Sequence, residues 1–520
     1  MVSGSGHVTT IYSYGYLSNM TILLRCVAWL AAVLVVAGCT AAPETSGRSG
    51  EAVRPYGELD RFVRDKMRSV RIPGAAYAIV DRDGIRHTGT FGTDGDGAAV
   101  NATTPFLWGS VAKPVTATLV MIMVAAGELR LDASVATYLP SFRTRDHARS
   151  ARITVRQLIN QTSGLPTSTR HTDRTDAHRR PADVLPELEQ QTLAGEPGVA
   201  HRYSSTNYLL LAAVVEAVTG KPFTDVLYSR VLDPLAMRTT ITTQAQAQAA
   251  VSRGHRYIFD RPVPMTPPFD PAGVGYGYLG GALADLAAFA RTNLGGGTEI
   301  IDKAQRDTMF AGDIPTSPGK SYGLGWRRWT VPGADTPMIW HGGAAPGYWA
   351  QIILLPEQAI VLLVNSYGTL HEPKLLNVGF GLAALSIGHA PPEIPSGQSY
   401  TAILGALAAL IVILIGLIGH GIRRLVHPKT PAPKRWRSCI ALAAWILAPG
   451  AILYGLAAAL PARMGITLPQ LMLWTPDIAG LIYLTLAATT MLLLIRLAHG
   501  IRALRPSSAS HIEPSRPAES

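Results

Sequence analysis

The chain has 520 residues, 48% of them hydrophobic, and a formal net charge of +11, so it is too long for one ordinary domain and can bury a large core. Its three cysteines, Cys26, Cys39 and Cys439, lie in or beside apolar stretches near the two ends, which excludes a disulfide framework or a cysteine zinc site in the middle. The HExxH zinc pattern is absent as well, and the sequence indicates no metal and no cofactor.

The first apolar stretch has the layout of a secretory signal. Arg25 gives a short positive region, Val27–Val36 gives an apolar region, and small residues lead to Cys39. This ending resembles a bacterial lipobox, so we expect Cys39 to be lipidated and to become the mature N-terminus; an uncleaved signal anchor is the alternative. Because residues 1–19 are polar and fit no part of a signal, we hypothesise that translation starts at Met20.

Hydrophobic periodicity in the middle of the chain predicts strands at both of its ends and helices between them. Helical patterns cover Leu59–Ser69, Ser110–Ala126, Asn207–Thr219 and Ala282–Leu294, and strand patterns lie within Gly74–Gly92, Pro337–Gly343, Tyr348–Leu355 and Ala359–Gly368. This order predicts an α/β (α+β) fold, in which an antiparallel sheet assembled from both ends is flanked by helices and carries an inserted all-helical region.

Three apolar runs follow, at about Tyr400–Gly419, Cys439–Leu460 and Ile478–Ile495, and each is long enough to cross a membrane. The loop 421–438 carries six basic residues and no acid, and the tail 496–520 carries four arginines against two glutamates. This positive-inside pattern predicts that both segments are cytoplasmic and that the globular middle lies outside the bacterial cell membrane. A soluble helical bundle is the alternative, and the placement of the charge disfavours nucleic acid as a partner.

These features divide the chain into six parts. They are an N-terminal extension with a signal (1–39), a linker (40–55), a globular domain (56–390), a second linker (391–399), three transmembrane helices (400–495) and a basic cytoplasmic tail (496–520). We expect the inserted region, roughly Pro166–Pro271, to form the walls of a pocket.

The stretch Phe106–Val115 contains a serine followed three residues later by a lysine. On a helix Ser110 and Lys113 would share one face, and a serine hydroxyl needs an adjacent base before it can act as a nucleophile. Burial can depress the pKa of a lysine enough for this role. The alternative is that Ser110 is only a helix N-cap. A second S-x-x-K at Ser317–Lys320 shows how unspecific the pattern is, and its central Pro-Gly is expected to leave those side chains without a fixed relation.

Two further features follow along the chain. Tyr203 just precedes a predicted helix, where its phenol could relay protons between a serine and a lysine. His341 ends a predicted strand and is followed by Gly342–Gly343, which would let a substrate backbone bind along the strand edge. The N–H of Ala344 could then join that of Ser110 in an oxyanion hole. Taken singly, Tyr203 and His341 would more often be packing residues.

Together these motifs resemble the serine β-lactamase and penicillin-binding protein superfamily, and within it the group of class C β-lactamases, D-Ala-D-Ala carboxypeptidases and esterases. The resemblance covers about Tyr56–His389 and includes connecting segments such as GELRLDASVATYLP and YGLGW. It implies an antiparallel sheet between helices plus an all-helical region. It also implies that Ser110 is the acylated nucleophile, Lys113 its base and Tyr203 a proton shuttle, with His341 at a position that is lysine in many relatives.

Some residues depart from the family pattern. Ser205 stands where relatives usually carry an asparagine that binds the substrate's acylamide carbonyl, so Ser205 is a candidate substrate-binding residue, together with Gly342 and Gly343. Asn207 is close in sequence but is expected to point elsewhere. His341 should hold a substrate carboxylate less firmly than lysine would. These departures weaken the expectation of efficient β-lactam hydrolysis but leave acyl transfer intact.

The sequence therefore predicts a membrane-tethered extracytoplasmic serine hydrolase that acts through an acyl-enzyme on an amide or an ester. The expected substrate is a small molecule or peptide of the D-amino-acid, ester or β-lactam class, which could be cell-wall-derived or lipid-linked. A penicillin-binding-like ligand sensor with little turnover is the alternative. A silent scaffold is disfavoured by the intact motifs, and an α/β-hydrolase by the absence of a G-x-S-x-G elbow.

Overall fold

The structure is a computed structural model that describes residues 56–176, 178–392, 399–427 and 435–504. Its contacts divide the chain into two compact units. The first runs to Tyr400 and also includes Arg463–Asp477, and the second comprises Thr401–Ala462 and the chain from Ile478. The predicted start Met20, the lipidation site Cys39 and the linker 40–55 lie outside the described residues.

The strands all belong to the first unit. They are β1 (Gly74–Val80), β2 (Ile85–Gly92), β3 (Phe106–Leu107), β4 (Gly254–Ile258), β5 (Arg261–Met265), β6 (Gly280–Gly281), β7 (Ile314–Ser317), β8 (Lys320–Tyr322), β9 (Arg327–Thr330), β10 (Pro337–Ala345), β11 (Tyr348–Leu354), β12 (Ala359–Val364) and β13 (Ser366–Tyr367).

Helices fill the region between the two groups of strands and the C-terminal part of the chain. They are α1 (Gly57–Val70), α2 (Ala112–Ala125), α3 (Val135–Tyr138), α4 (His147–Ser150), α5 (Val155–Ile159), α6 (Leu185–Leu188), α7 (Ser205–Thr219), α8 (Phe223–Leu227), α9 (Gln244–Ala250), α10 (Leu283–Asn293), α11 (Lys303–Phe310), α12 (Glu372–Ser386), α13 (Ser399–Val426), α14 (Arg435–Tyr454), α15 (Leu460–Met464), α16 (Leu468–Trp474) and α17 (Pro476–Leu504). Short 3-10 or π turns occur at Gly109–Val111, Pro181–Val184, Tyr228–Leu232, Pro271–Gly273, Val274–Tyr278 and Gly455–Ala459.

The main sheet has eight strands in the order β2-β1-β12-β11-β10-β9-β8-β7. Its strand pairs are antiparallel, and the adjacent strands β1 and β12 come from opposite ends of the domain. The two ends of the domain therefore close one sheet, and the helices between them form an inserted region. The predicted α/β (α+β) class with an antiparallel sheet is confirmed.

The sheet is buried on both faces, and β1 shows how its sequence allows this. Successive side chains on a strand point to opposite faces. Ala76, Ala78 and Val80 pack in the core that contains the inserted helices. Ala75, Tyr77 and Ile79 pack in the core that contains α1 and α12. A continuous apolar run of this kind fits a strand covered on both sides.

The second S-x-x-K departs from the expectation that its side chains have no fixed relation. Ser317 and Lys320 pair directly with each other at the ends of β7 and β8. The Pro-Gly between them forms the tight turn of a β-hairpin, in which Gly319 has a φ of +71°. The turn therefore fixes the relation of the two residues, because they are cross-strand neighbours. The ammonium group of Lys320 lies 4.2 Å from the ring centre of Trp329.

Within the residues that the structure describes, three helices are long and apolar enough to cross a membrane: Tyr400–Val426, Leu442–Met464 and Pro476–Arg502. Within the second unit, polar side chains at one end of α17 bond to the end of α13. A ring nitrogen of His499 lies 2.9 Å from the carbonyl oxygen of Gly421, and Arg502 donates to the carbonyl of Leu425 at 2.9 Å.

Candidate active site

Ser110 lies in the 3-10 turn that leads into α2. The N-cap of α2 is Val111, and no side chain caps this end of the helix with a hydrogen bond. The hydroxyl of Ser110 instead accepts a hydrogen bond from the ammonium group of Lys113, at 2.9 Å. The geometry therefore disfavours the N-cap alternative and brings the serine and the lysine into direct contact.

Lys113 is fully buried, at 0% exposure, and its ammonium group has two further partners. It donates to the carbonyl of Tyr276 at 2.8 Å and to the hydroxyl of Ser205 at 3.2 Å. Burial lowers the pKa of Lys113 to about 7; Arg327 adds to this effect, whereas the carboxyl group of Asp173 opposes it. A substantial fraction of Lys113 is therefore neutral near pH 7 and able to accept a proton.

Tyr203 lies beside the same two groups. The ammonium group of Lys113 is 4.9 Å from the centre of the phenol ring. Burial raises the pKa of Tyr203 to about 12, although Arg327 and a hydrogen bond with Ser110 each act to lower this pKa. Tyr203 is consequently a neutral phenol at physiological pH. It can donate a proton or pass one on, but it is a less accessible base than Lys113.

The start of α7 positions Ser205, and one buried amide fixes that start. The helix begins at Ser205, two residues before the predicted Asn207. The side-chain oxygen of Gln161 accepts hydrogen bonds from the backbone N–H of Ser204 and from the side chain of Asn207. Asn207 also accepts from Ser163 at 2.6 Å, so it points into the core, as expected, and away from Ser110.

Two glycines let β10 lie against the turn that carries Ser110. A Cβ atom on Gly343 would lie 1.9 Å from the carbonyl oxygen of Trp108 and 2.7 Å from the backbone nitrogen of Ser110. A Cβ atom on Gly109 would lie 2.5 Å from the backbone nitrogen of Ala344. Only residues without a side chain permit this approach, which places the backbone of Ala344 next to that of Ser110.

His341 lies within β10 rather than at its end, because pairing with β11 continues through both glycines to Ala345. The ring is 1% exposed, and its Nδ1 lies 2.7 Å from the carbonyl oxygen of Gly342. Since a carbonyl only accepts, Nδ1 carries the proton, and Nε2 faces the hydroxyl of Tyr322 at 3.3 Å. Burial, with Arg327 and Lys113, lowers the pKa of His341 well below its usual value. His341 is thus a neutral, buried neighbour of the site, and its ring is directed at Tyr322.

A cleft of ≈ 150 Å³ opens over Ser110. Of the residues proposed from the sequence, Ser110, Tyr203, Ser205, Gly342 and Ala344 line it. Gly343 is packed against the Ser110 turn instead. The inserted region supplies only part of the walls, contrary to expectation. Further walls come from the segments around Tyr276–Tyr278, Tyr367–Glu372 and Trp474.

Sequence reasoning missed several charged or aromatic residues of this cleft. Arg327 directly follows the YGLGW segment and lines the cleft with its guanidinium 5.2 Å from the ring centre of Tyr203. Asp173 has a φ of +57°, and burial together with Asp270 raises its pKa to about 6. The position of Arg327 directly after the YGLGW segment was a usable signal. Nothing local indicated Asp173. Among the described residues, no group of three potential ligands is placed to bind a metal ion.

The fold and this site define a class of protein: a β-lactamase/transpeptidase-type domain of the serine acyl-transferases and hydrolases. A family model described as Beta-lactamase matches residues 59–378, which is more than half of the 520 residues. The chain therefore belongs to the β-lactamase family.

Relatives and solved structures give the same result. "Penicillin-binding protein 4" of Amycolatopsis lactamdurans is 33% identical over 319 residues, which cover 56% of this chain and 81% of that protein. The octameric penicillin-binding protein homologue from Pyrococcus abyssi superposes with a TM-score of 0.58 at 22% identity, covering 67% of this chain and 81% of that one. A β-lactamase/D-alanine carboxypeptidase from Pseudomonas syringae superposes with a TM-score of 0.53 at 22% identity, covering 65% and 100%. At these identities the two structures establish the fold alone.

Proposed function

We propose that this chain is a membrane-tethered extracytoplasmic hydrolase that forms an acyl-enzyme on Ser110 and acts on an amide or ester. The observation that carries the proposal is the 2.9 Å hydrogen bond from Lys113 to Ser110 in a buried site. The pKa of about 7 for Lys113 supports its role as the base, because a neutral amine is present near physiological pH.

In the proposed mechanism Ser110 attacks the substrate carbonyl while its proton passes to Lys113. The backbone N–H groups of Ser110 and Ala344 bind the developing oxyanion, which the close approach of β10 supports. Tyr203, protonated at neutral pH, relays this proton from Lys113 to the leaving group as the amide or ester bond breaks. Water then attacks the acyl-enzyme and loses a proton to Lys113 and Tyr203, which pass it to the oxygen of Ser110 as the bond between Ser110 and the acyl group breaks. The acid product leaves and Ser110 is restored.

The substrate class we propose is a D-amino-acid peptide or a related ester. The relatives whose names mention penicillin binding or D-alanine carboxypeptidase activity support this class. The positive charge of Arg327 in the cleft supports a substrate that carries a carboxylate. Ser205 contacts Lys113 and is shorter than the asparagine of relatives, so we expect weak β-lactam hydrolysis.

The test is serine-dependent labelling of the full-length protein in membranes. Wild type should react with a fluorophosphonate and with a fluorescent penicillin, and Ser110→Ala should lose at least about 100-fold of the labelling rate. Ser317→Ala is the matched control, because it removes the serine of the second S-x-x-K, and it should react normally. Labelling that survives in Ser110→Ala would overturn the proposal. A stable adduct without turnover of any D-amino-acyl peptide or ester would favour the ligand sensor.

A further inference from the structure

The segment Arg463–Asp477 connects two apolar helices in sequence, yet its contacts place it in the first unit with the cleft. We call this segment the strap. The N-cap of its helix α16 is Thr467, which forms a capping box with Gln470. Met464, Ile466 and Leu471 of the strap are buried. The strap is therefore a structured part of the first unit.

The first half of the strap holds one wall of the cleft, formed by Thr167–Thr169. The carbonyl oxygen of Gly465 accepts hydrogen bonds from the backbone N–H of Thr169 at 2.8 Å and from the hydroxyl of Ser168 at 3.0 Å. The side-chain amide of Gln470 donates to the carbonyl of Thr172 at 3.0 Å. The hydroxyl of Thr169 donates back to Gln470 at 3.1 Å. These bonds fix the wall to the strap at several points.

The second half of the strap contacts another part of the cleft wall. Trp474 lines the cleft and packs edge-on against Tyr367, with ring centres 5.6 Å apart. Tyr367 in turn stacks on Trp349 at 6.0 Å with an interplanar angle of 5°. All three aromatic residues line the cleft. Beyond Trp474, the carboxylate of Asp477 accepts a hydrogen bond from the backbone N–H of Phe259 at 2.8 Å, which ties down the end of the strap.

We propose that the strap completes the substrate cleft and that Trp474, with Tyr367 and Trp349, forms a subsite for an apolar group of the substrate. The proposal rests on the proposed function, since the same cleft contains Ser110. Trp474 is half-buried and offers the exposed part of this subsite, on which apolar area of a substrate is removed from water. Tyr367 and Trp349 are 6% and 2% exposed, and they support the ring of Trp474 through the contact of Trp474 with Tyr367. Trp474 is thus a specificity-determining residue that comes from the membrane-associated part of the chain, outside the segment matched by the family model.

The docking of the strap can be tested without any activity. The hydroxyl of Thr169 lies 3.1 Å from the side-chain oxygen of Gln470, so cysteines at these two positions are within reach of a short bifunctional thiol reagent. In full-length protein in membranes, Thr169→Cys combined with Gln470→Cys should be crosslinked by this reagent, detected as a linked peptide by mass spectrometry. Ser317→Cys combined with Gln470→Cys should not. Absence of the first link, or equal formation of the second, would overturn docking of the strap.

The subsite is tested with two series of nitrophenyl-type esters on full-length protein. In one series the acyl chain lengthens from acetyl to octanoyl, and in the other an acetyl group is kept while the leaving group gains apolar area. Trp474→Ala should lose on the order of tenfold in kcat/KM for the larger members of at least one series. Trp474→Phe should retain most of the preference. The exposed Trp436 lies outside the first unit, and Trp436→Ala is the control that should change nothing.

The reaction of Ser110 with a small fluorophosphonate separates the two proposals. The labelling rate of each variant measures how reactive its Ser110 is, so the loss in kcat/KM of Trp474→Ala is taken relative to the labelling rate of the same variant. Unaltered size preferences of Trp474→Ala in both ester series, with normal labelling of Ser110, would overturn the subsite and leave the proposed function intact. If wild type is not labelled at all, the proposed function fails and the subsite fails with it, while the Thr169–Gln470 crosslink still reports whether the strap docks.

Discussion

The charge on Lys113 controls the reactivity that we propose for Ser110, and two residues of opposite charge act on it. Asp173 raises the pKa of Lys113 and so opposes the dominant effect of burial, whereas Arg327 lowers it further. Both residues act on the lysine through the electric fields of their charges. Replacing Asp173 and replacing Arg327 by neutral residues should therefore shift the pKa of Lys113 in opposite directions, which can be tested.

The first prediction concerns the pH dependence of acylation. Only neutral Lys113 accepts a proton, so the rate of Ser110 labelling should rise with pH, with a midpoint at about 7. Asp173→Asn removes a negative charge, favours the neutral amine and should move this midpoint to lower pH. Arg327→Gln removes a positive charge and should move the midpoint to higher pH. Each shift should be on the order of half a pH unit, and it is measured from labelling rates between pH 5 and 9. Shifts in the same direction would contradict the assignment of Lys113 as the base.

The neutral state of His341 bears on the same profile. Its pKa is well below the usual value, and its Nδ1 proton is bound to the carbonyl of Gly342. The acid limb of the profile should therefore report Lys113 and not His341. A histidine at this position adds no positive charge to the cleft at neutral pH, which leaves Arg327 as a cationic wall residue for a substrate carboxylate.

At the scale of elements, the distance between β10 and the Ser110 turn decides whether two N–H groups can share one oxyanion. Gly343 sets this distance, because a Cβ atom there would overlap the carbonyl oxygen of Trp108. The same contact explains why β10 carries glycines in a strand interior, where glycine otherwise weakens a strand.

The second prediction concerns Gly343→Ala. The added methyl group must push β10 away from the turn, so acylation of Ser110 should fall by about 100-fold or more. The loss in unfolding free energy should be about 1–3 kcal/mol, as for other overpacked sites. Both are measured on full-length protein, by labelling rate and by denaturant unfolding.

The control for this variant is Gly319→Ala in the β7–β8 turn. Gly319 has a φ of +71° and no atom within 4 Å of an added Cβ, so only backbone strain is introduced. This variant should lose about 1 kcal/mol of stability and keep its acylation rate. If both variants lost activity equally, the activity loss would reflect general destabilisation and not the position of β10.

At the scale of the whole molecule, the basic residues flanking the apolar helices predict the orientation. The loop 421–438 is basic and free of acids, whereas the strap lies between the second and third apolar helices. If the loop is cytoplasmic, the strap and the first unit are on the same, outer side of the membrane. The strap and the first unit must lie on the same side of the membrane if the strap belongs to the unit that contains the cleft.

The third prediction is therefore a topology. Alkaline phosphatase fused after His389 should be active, because it would be exported. The same enzyme fused after Ser520 should be inactive, and a fluorescent protein fused there should be bright, because the tail should be cytoplasmic. Active phosphatase at Ser520 would contradict the orientation, and with it the extracytoplasmic part of the proposed function.

The sequence alone determined the elements whose signals are local. The alternation of strands and helices gave the sheet class, the apolar runs gave three helices long enough to span a membrane, and ordered motifs singled out Ser110, Lys113 and Tyr203. The signals for strands and helices depend on neighbours within a few residues, which is why they can be read without a fold. The candidate catalytic residues were singled out by the order of their motifs along the chain and by the family resemblance that this order carries.

Only the tertiary structure decided what surrounds these residues. The pKa of Lys113 depends on burial and on Asp173 and Arg327, which are 60 and 214 positions away in the chain. The ring of His341 is turned toward Tyr322, and Trp474 reaches the cleft from between two apolar helices. Burial and through-space charge depend on which distant segments meet, and no local pattern encodes that meeting. The sequence therefore determined which serine and lysine we propose as the reactive pair, and the tertiary structure determined the protonation of Lys113 and the walls of the cleft.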